Sequence, residues 1–232
     1  MKIVVVSGSH RARGESNRVA DYLAGLARQQ LGAETSVLKL SALGIPLWQD
    51  DDDPRVEAVR QAWAPVKAEL ASADAWILVT PEWNGMAPPG VKNFLLLCSA
   101  REVGHKPCLL AAVSASRGGS YPIVELRQSG YKNTRVLYLP EHLIFQSVAT
   151  LLVGDQPANE NDAYIRRRSE AAVTLLGKYA TALAPIRDGI WDYKAFGNGM
   201  LVSRQARRAP RARARTCRAA ASGTRPAPCS SR

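Results

Sequence analysis

Residues 75–93 read AWILVTPEWNGMAPPGVKN, and the order of residue types in that stretch decides the fold. Ala75–Thr80 is almost wholly apolar and lacks the alternation of a strand with one wet face, so it predicts a strand buried on both sides. Pro81–Gly90 is rich in proline and glycine and predicts a loop. Val91, Phe94/Leu95 and Cys98 then recur at helical spacing. Strand, loop and amphipathic helix are the repeating parts of an α/β sheet protein.

The same order repeats in both directions. Upstream, Lys2–Val6 predicts a first strand. A helix capped by Ser16 or Asn17 follows, with Val19, Leu23, Leu26/Ala27 and Leu31 on one face. Thr35–Leu40 predicts the second strand. Asp53-Pro54 has the form of an N-cap with proline at the first helical position, ahead of Val56, Val59, Trp63, Val66 and Leu70, with Pro65 a place for a bend. Downstream, Cys108–Val113 predicts a fourth strand, Ser114–Gly119 a turn, and the next residues a helix to about Tyr131. Residues 135–139 predict a fifth strand, and residues 161–183 a helix with Ile165, Ala172, Leu175/Leu176, Tyr179 and Leu183 inward. Five strands alternating with five helices predict an α/β fold of three layers, a five-stranded parallel sheet with helices on both faces. Ligands of such sheets sit beyond the carboxyl ends of the strands, where strand order reverses. That rule singles out the loops after strands one, three and four.

The first of these runs Gly8-Ser9-His10-Arg11-Ala12-Arg13-Gly14-Glu15-Ser16-Asn17. It opens onto a helix N-terminus, where free amides and the helix dipole favour an anion. Ser9, Ser16, Asn17 and Arg11 add donors suited to phosphate oxygens, with Glu15 expected to point to solvent; on composition alone an ordinary capped βα turn fits as well. The loop has no GxGxxG, strand two ends without an acidic residue for a ribose, and no GK[ST] occurs, which disfavours a dinucleotide Rossmann site and a nucleoside triphosphatase. In the second loop, Trp83 and Met86 offer a flat apolar wall, and Pro81, Gly85 and Pro88 hold backbone groups for a heterocycle's edge. The small residues of Ser114-Ala115-Ser116-Arg117-Gly118-Gly119 let a planar ring lie close to the backbone. A rigid surface turn and a helix-capping turn are the plain alternatives for these two loops.

The net charge of +11 over 232 residues is unevenly spread. Residues 203–232 hold nine arginines and no acid; without those charges residues 1–202 carry about +2. The Ala/Arg/Pro/Ser bias of that tail cannot bury a core and predicts disorder. No aromatic residue interleaves with the arginines to stack on bases, which disfavours nucleic acid as a partner. Four cysteines without a CxxC pair predict reduced thiols, no zinc site and no disulfide framework. Met1–Gly8 is read as a strand rather than a signal peptide, and no apolar run approaches membrane-spanning length, so a cytoplasmic protein is expected. The four acids Asp50–Asp53 are read as solvated rather than metal-binding.

Together these segments resemble the NADPH-dependent FMN reductase family of the flavodoxin-like fold. Gly8-Ser9-His10-Arg11 with Ser16-Asn17 resembles its phosphate loop. Pro81-Glu82-Trp83-Asn84-Gly85 resembles its P-E-Y-N segment, and Pro89-Gly90-Val91-Lys92-Asn93 its P-G-x-x-K-N. Ser114–Gly119 is similar to its third flavin-contacting turn, and Phe196–Met200 to its C-terminus. The resemblance covers residues 1–200, so residues 1–202 are read as the FMN-binding domain and 203–232 as the tail. It implies that Ser9, Arg11, Ser16 and Asn17 hold the FMN phosphate. Pro81, Glu82, Trp83, Asn84 and Gly85 would line the ribityl chain and isoalloxazine, with Ser114, Gly118 and Gly119 at the ring's other edge.

Two positions depart from the pattern. Trp83 replaces a tyrosine, and Gly14 stands where relatives carry a hydroxyl, which would cost one phosphate hydrogen bond. NADPH or NADH would be the co-substrate, with a small-molecule acceptor such as a flavin, quinone, azo compound or metal oxyanion. No catalytic acid or base is expected, and His10, His105 and His142 are read as structural, with His10 placed to add a phosphate donor. A homodimer or homotetramer is implied, consistent with exposure of Trp83 and Met86. Two other readings stay open: a non-catalytic electron carrier, against which the near-neutral body argues, and a flavin-free interaction module.

Overall fold

The computed structural model describes residues 1–187; Phe196–Met200 and the arginine-rich tail lie outside the described residues. Five strands, β1 (Lys2–Ser7), β2 (Glu34–Lys39), β3 (Ala75–Pro81), β4 (Pro107–Val113) and β5 (Leu137–Phe145), form one sheet in the order β2-β1-β3-β4-β5, with every pairing parallel. β3 and β4 are buried at every position, which is why both read as unbroken apolar runs. Eight α-helices are described: α1 (Glu15–Leu31), α2 (Leu40–Leu43), α3 (Val56–Ser72), α4 (Pro89–Leu97), α5 (Ala100–Val103), α6 (Ser120–Gln128), α7 (Tyr131–Thr134) and α8 (Glu160–Arg187).

Two apolar layers flank the sheet. One packs Val19, Leu23 and Ala27 of α1 and Val173, Leu176 and Ala180 of α8 against Ile3, Val5, Ile77 and Leu109. The other packs Trp63, Val66 and Leu70 of α3, Val91 and Phe94 of α4 and Ile123 and Leu126 of α6 against Val4, Val6, Trp76 and Leu110. Alternate residues of each central strand thus serve opposite layers. The strand order is that of the flavodoxin-like fold, with its switch point between β1 and β3.

Several expectations are corrected. Neither Ser16 nor Asn17 caps α1: the flanking residue is Gly14, without a side-chain cap bond, and both polar residues lie buried in the first turn. Asp53-Pro54 does not open α3, which begins at Val56. Asp53 Oδ1 instead accepts the Arg55 N–H at 2.8 Å, and its carbonyl accepts the Val56 N–H at 3.0 Å, leaving Pro54 in a turn before the helix. The helix expected to reach Tyr131 stops at Gln128, and a separate turn, α7, follows. β5 extends to Phe145 rather than Leu139, because the register shifts between Cys108 and Leu110 and lets the sheet's edge accommodate Pro140. In α8, Tyr179 is exposed. Gly177 lies so close to Leu31 that a Cβ there would stand 2.9 Å from its side chain, so the face toward α1 centres on Val173, Leu176 and Ala180.

Candidate functional site

β1, β3 and β4 deliver their C-terminal loops to one end of the sheet. The loop after β1 leaves the strand at Gly8, whose N–H donates to the Val79 carbonyl at 2.7 Å, tying this loop to β3. Its shape is then fixed from within. Ser9, buried, accepts the Arg11 N–H at 3.2 Å through Oγ, and the Gly14 N–H closes the turn on the Arg11 carbonyl at 3.1 Å. Asn17 sits beneath the loop: Oδ1 accepts the Ser7 hydroxyl at 2.7 Å, and Nδ2 donates to the Ala12 carbonyl at 3.0 Å. Asn17 therefore braces the loop with both ends of its amide.

Among the described residues, the amides of Ser9, His10, Ala12 and Arg13 make no backbone hydrogen bond. The first amides of α1 have no intrahelical acceptor by construction. The buried Ser16 lies in that first turn, and the Arg11 side chain is exposed at the rim. Unpaired N–H groups at a helix start, with serine hydroxyls in the same segment, offer donors suited to a phosphate-sized anion. Glu15 does not compete for it, because its carboxylate is taken by Arg18. Arg18 in turn donates to the carbonyls of Leu151 and Val148, fastening α1 to the chain after β5. Gly14 is a steric requirement: a Cβ there would stand 2.5 Å from Ser9 Oγ. A hydroxyl side chain at 14 does not fit this loop, so its absence is part of the loop's own packing.

The loop after β3 holds a two-residue turn. Trp83 and Met86 exchange both backbone hydrogen bonds, at 3.1 and 2.9 Å, around Asn84 and Gly85, which have φ of 53° and 72°. An Asn-Gly pair is suited to that doubly left-handed turn. The turn stands Trp83 against the first loop, where its ring meets His10 edge-on with centroids 4.4 Å apart. Trp83 is consequently half-buried, not exposed as expected, while Asn84, Gly85 and Met86 are exposed. Glu82 N–H extends the sheet by donating to the Val113 carbonyl at 2.9 Å.

The loop after β4 is held on both sides. Ser114 N–H donates to the Phe145 carbonyl at 2.9 Å, and Ser114 Oγ accepts the Ser116 N–H at 3.3 Å. Gly119, with φ of 115°, directs its N–H to the Glu82 carboxylate. A Cβ at Gly118 would collide with that carboxylate, and one at Gly119 with the Ile144 side chain. Both glycines are thus demanded by close approach. Glu82 joins the second loop to the third. Sequence reading had no signal for that link.

The twelve expected residues therefore fall on three adjacent loops: Ser9, Arg11, Ser16 and Asn17 on the first, Pro81 to Gly85 on the second, Ser114, Gly118 and Gly119 on the third. Asn17 is the exception to its expected role, since its side chain is engaged inside the loop. The unpaired amides fit a phosphate, and the close-packed glycine turn, tied through Glu82 to the loop that carries Trp83, fits a flat heterocycle, so the residues present suit FMN. His142 is held below its ordinary value by burial and by the neighbouring Arg127 charge, which keeps it neutral near pH 7. Burial pushes the Cys98 and Cys108 thiols up, so both remain protonated. Among the described residues no helix is long and apolar enough to cross a membrane.

The chain is similar to known proteins. The chain is 36% identical over 121 residues to an NADPH azoreductase of Bacillus sp. (strain OY1-2), covering 51% of this chain and 62% of that protein. It is 34% identical over 106 residues to a quinone reductase of Pseudomonas putida, covering 45% and 50%. The chain thus spans half to three-fifths of the length of these curated relatives. Among solved structures it is similar to FerB, a flavoenzyme NAD(P)H:(acceptor) oxidoreductase of Paracoccus denitrificans. That likeness has a TM-score of 0.62 at 17% identity and covers 78% of this chain and 97% of that one; at this identity it speaks for the fold. The model of the family described as NADPH-dependent FMN reductase matches residues 1–150, which include all three loops. The chain belongs to the NADPH-dependent FMN reductase family.

Proposed function

We propose that this protein is an NAD(P)H-dependent flavin oxidoreductase that holds FMN at the three-loop site and reduces a small-molecule acceptor such as a quinone, azo compound or free flavin. The observation that carries the reading is the set of amides without a backbone partner at Ser9, His10, Ala12 and Arg13, at the same end of the parallel sheet as the close-packed glycines Gly118 and Gly119. When bound, FMN would supply the redox chemistry between the nicotinamide and the acceptor. The protein's own part is placement. Ser9, Ser16, Arg11 and the loop amides hold the phosphate, with Asn17 fixing the loop beneath them. Pro81, Glu82, Trp83, Asn84 and Gly85 line the ribityl chain and one edge of the ring. Ser114, Gly118 and Gly119 would present a close-packed backbone surface to the other edge, with the Ser114 and Gly119 N–H groups already engaged by Phe145 and Glu82. No side chain is assigned to proton transfer.

The reading extends to the assembly and setting. Exposed Leu47, Trp48, Met86 and Leu96 border an apolar groove of about 620 Å³ beside the flavin loop, which supports a homodimer or homotetramer. Buried reduced thiols at Cys98 and Cys108 support a cytoplasmic setting. Residues 1–202 would form the flavin domain and 203–232 an arginine-rich extension.

The test is spectroscopic. The purified chain, reconstituted with FMN, should show a flavin spectrum that bleaches on anaerobic addition of NADPH or NADH. Flavin that binds but is reduced by neither donor would favour an electron carrier, and failure to bind flavin would overturn the reading.

A further inference from the structure

The peptide group between Gly118 and Gly119 is held at both poles by side chains from two other loops. Its N–H, that of Gly119, donates to the Glu82 carboxylate of the loop after β3. Its carbonyl, that of Gly118, accepts Gln146 Nε2 at 3.1 Å, and the same nitrogen also donates to the Arg117 carbonyl. Both partners are acceptors, so the Gln146 amide can face them only through its NH₂ group.

Glycine on either side is what makes such a clamp necessary. Neither residue has a Cβ to restrict rotation of the peptide between them. Neither could carry one without a shift, since a Cβ at 118 would collide with the Glu82 carboxylate and one at 119 with Ile144. Orientation must therefore come from outside the turn. A flipped peptide would lose both bonds at once and aim the Gly118 carbonyl at the Glu82 carboxylate, acceptor against acceptor. Glu82 and Gln146 thus favour one orientation from opposite ends.

The segment that carries Gln146 is itself fastened. On one side the Phe145 carbonyl accepts the Ser114 N–H at 2.9 Å; on the other, Ser147 N–H donates to the Ser116 carbonyl at 2.7 Å and Val148 N–H to the Ser114 carbonyl at 3.2 Å. Arg18 of α1 then holds the carbonyls of Val148, Leu151 and Leu152. The chain after β5 is in this way a fourth loop, linking the helix that follows the first loop to the turn of the third.

We propose that Gln146 is a positioning residue for the flavin, which fixes the Gly118–Gly119 peptide against the ring and acts through that peptide rather than by contact. The proposal rests on the reading of the three loops as the FMN site. Its effect is confined to the ring end of the ligand, because the phosphate is assigned to the loop after β1.

Two variants of the full chain test it. Gln146→Met keeps the side chain's length and removes the donor, whereas Gln146→Lys keeps a donor. In fluorescence titrations Gln146→Met should weaken FMN and riboflavin by one common factor of about five, and Gln146→Lys should hold both within about twofold of the parent. In the flavin-free protein, exchange of the Gly119 amide should be about fivefold faster in Gln146→Met and unchanged in Gln146→Lys. Undiminished flavin affinity in Gln146→Met, a loss confined to FMN, or equal losses in the two variants would overturn the proposal. If the parent binds neither flavin, the reading of the site fails, whereas parent-like Gly119 exchange in Gln146→Met shows that the clamp itself is wrong.

Discussion

The Glu82 carboxylate receives the backbone N–H of Gly119, so a side chain from the loop after β3 sets the position of the loop after β4. Glycine at 118 is what allows the carboxylate to come so close. Gly118→Ala should push the two loops apart and weaken FMN binding by about tenfold, a loss of ~1.4 kcal/mol. Fluorescence titration with FMN measures it; unchanged affinity would mean that the flavin does not use this turn.

Ser16 tests the phosphate site separately. Its hydroxyl lies in the first turn of α1, where the Glu15 and Ser16 amides precede any intrahelical acceptor. Because hydrogen bonds to charged groups contribute about 1.5–3 kcal/mol, Ser16→Ala should weaken FMN by about tenfold or more. Riboflavin, which lacks the phosphate, should bind the variant and the parent alike. Equal losses for both ligands would remove Ser16 from the phosphate site.

Much of this arrangement is legible in the sequence, and the parts that are not share a cause. β1, β3 and β4 read directly because strands buried on both faces cannot tolerate polar residues. β5 reads only in part, since Pro140-Glu141-His142 looks like a strand end when it is an irregular edge. Asp53-Pro54 matches a helix start by type, and only the Asp53–Arg55 contact reveals a turn. Among the site loops, the glycines, hydroxyls and Asn84-Gly85 are visible. The inward use of Asn17 and the reach of Glu82 to Gly119 depend on where side chains point, which residue type leaves open.

Lys106 links fold to pH. It is buried, and its Nζ donates to the carbonyls of Leu70 and Ala71 at 2.7 and 2.8 Å, capping the end of α3. Burial, assisted by the Arg187 charge, pulls its pKa down from 10.5 to about 8. Between those values the unfolded chain binds the extra proton, so this group's contribution to stability rises with pH across the window and is lost as pH falls through about 8. The stability difference between the parent and Lys106→Met should therefore grow in the parent's favour by ~1–3 kcal/mol from pH 8 to pH 10.5, measured by urea unfolding. A difference independent of pH would contradict the shift.

Asp162 holds the approach to α8. Fully buried, it accepts the N–H groups of Leu152 and Ala158 at 3.0 and 2.9 Å and pairs with Arg166 at 3.1 Å. Desolvation pushes its carboxyl up, but these donors outweigh it and leave the pKa below the ordinary value. Asp162→Ala strands two amides and a guanidinium, and should cost ~3–5 kcal/mol in chemical denaturation. A loss below about 1 kcal/mol would show that the segment relaxes around the gap.

The β1–β3 pairing joins Ile3 to Ala75 across a long stretch of intervening chain. Closing a loop of that span is slow compared with forming helices, because its entropy is lost before any contact rewards it. The Ser9, His10, Ala12 and Arg13 amides proposed for the phosphate follow directly on Gly8, whose N–H reaches the Val79 carbonyl across the same closure. FMN therefore cannot act as a template for the first steps of folding. It should slow unfolding and raise the melting temperature with the logarithm of its concentration above Kd, while the refolding rate stays the same with or without it.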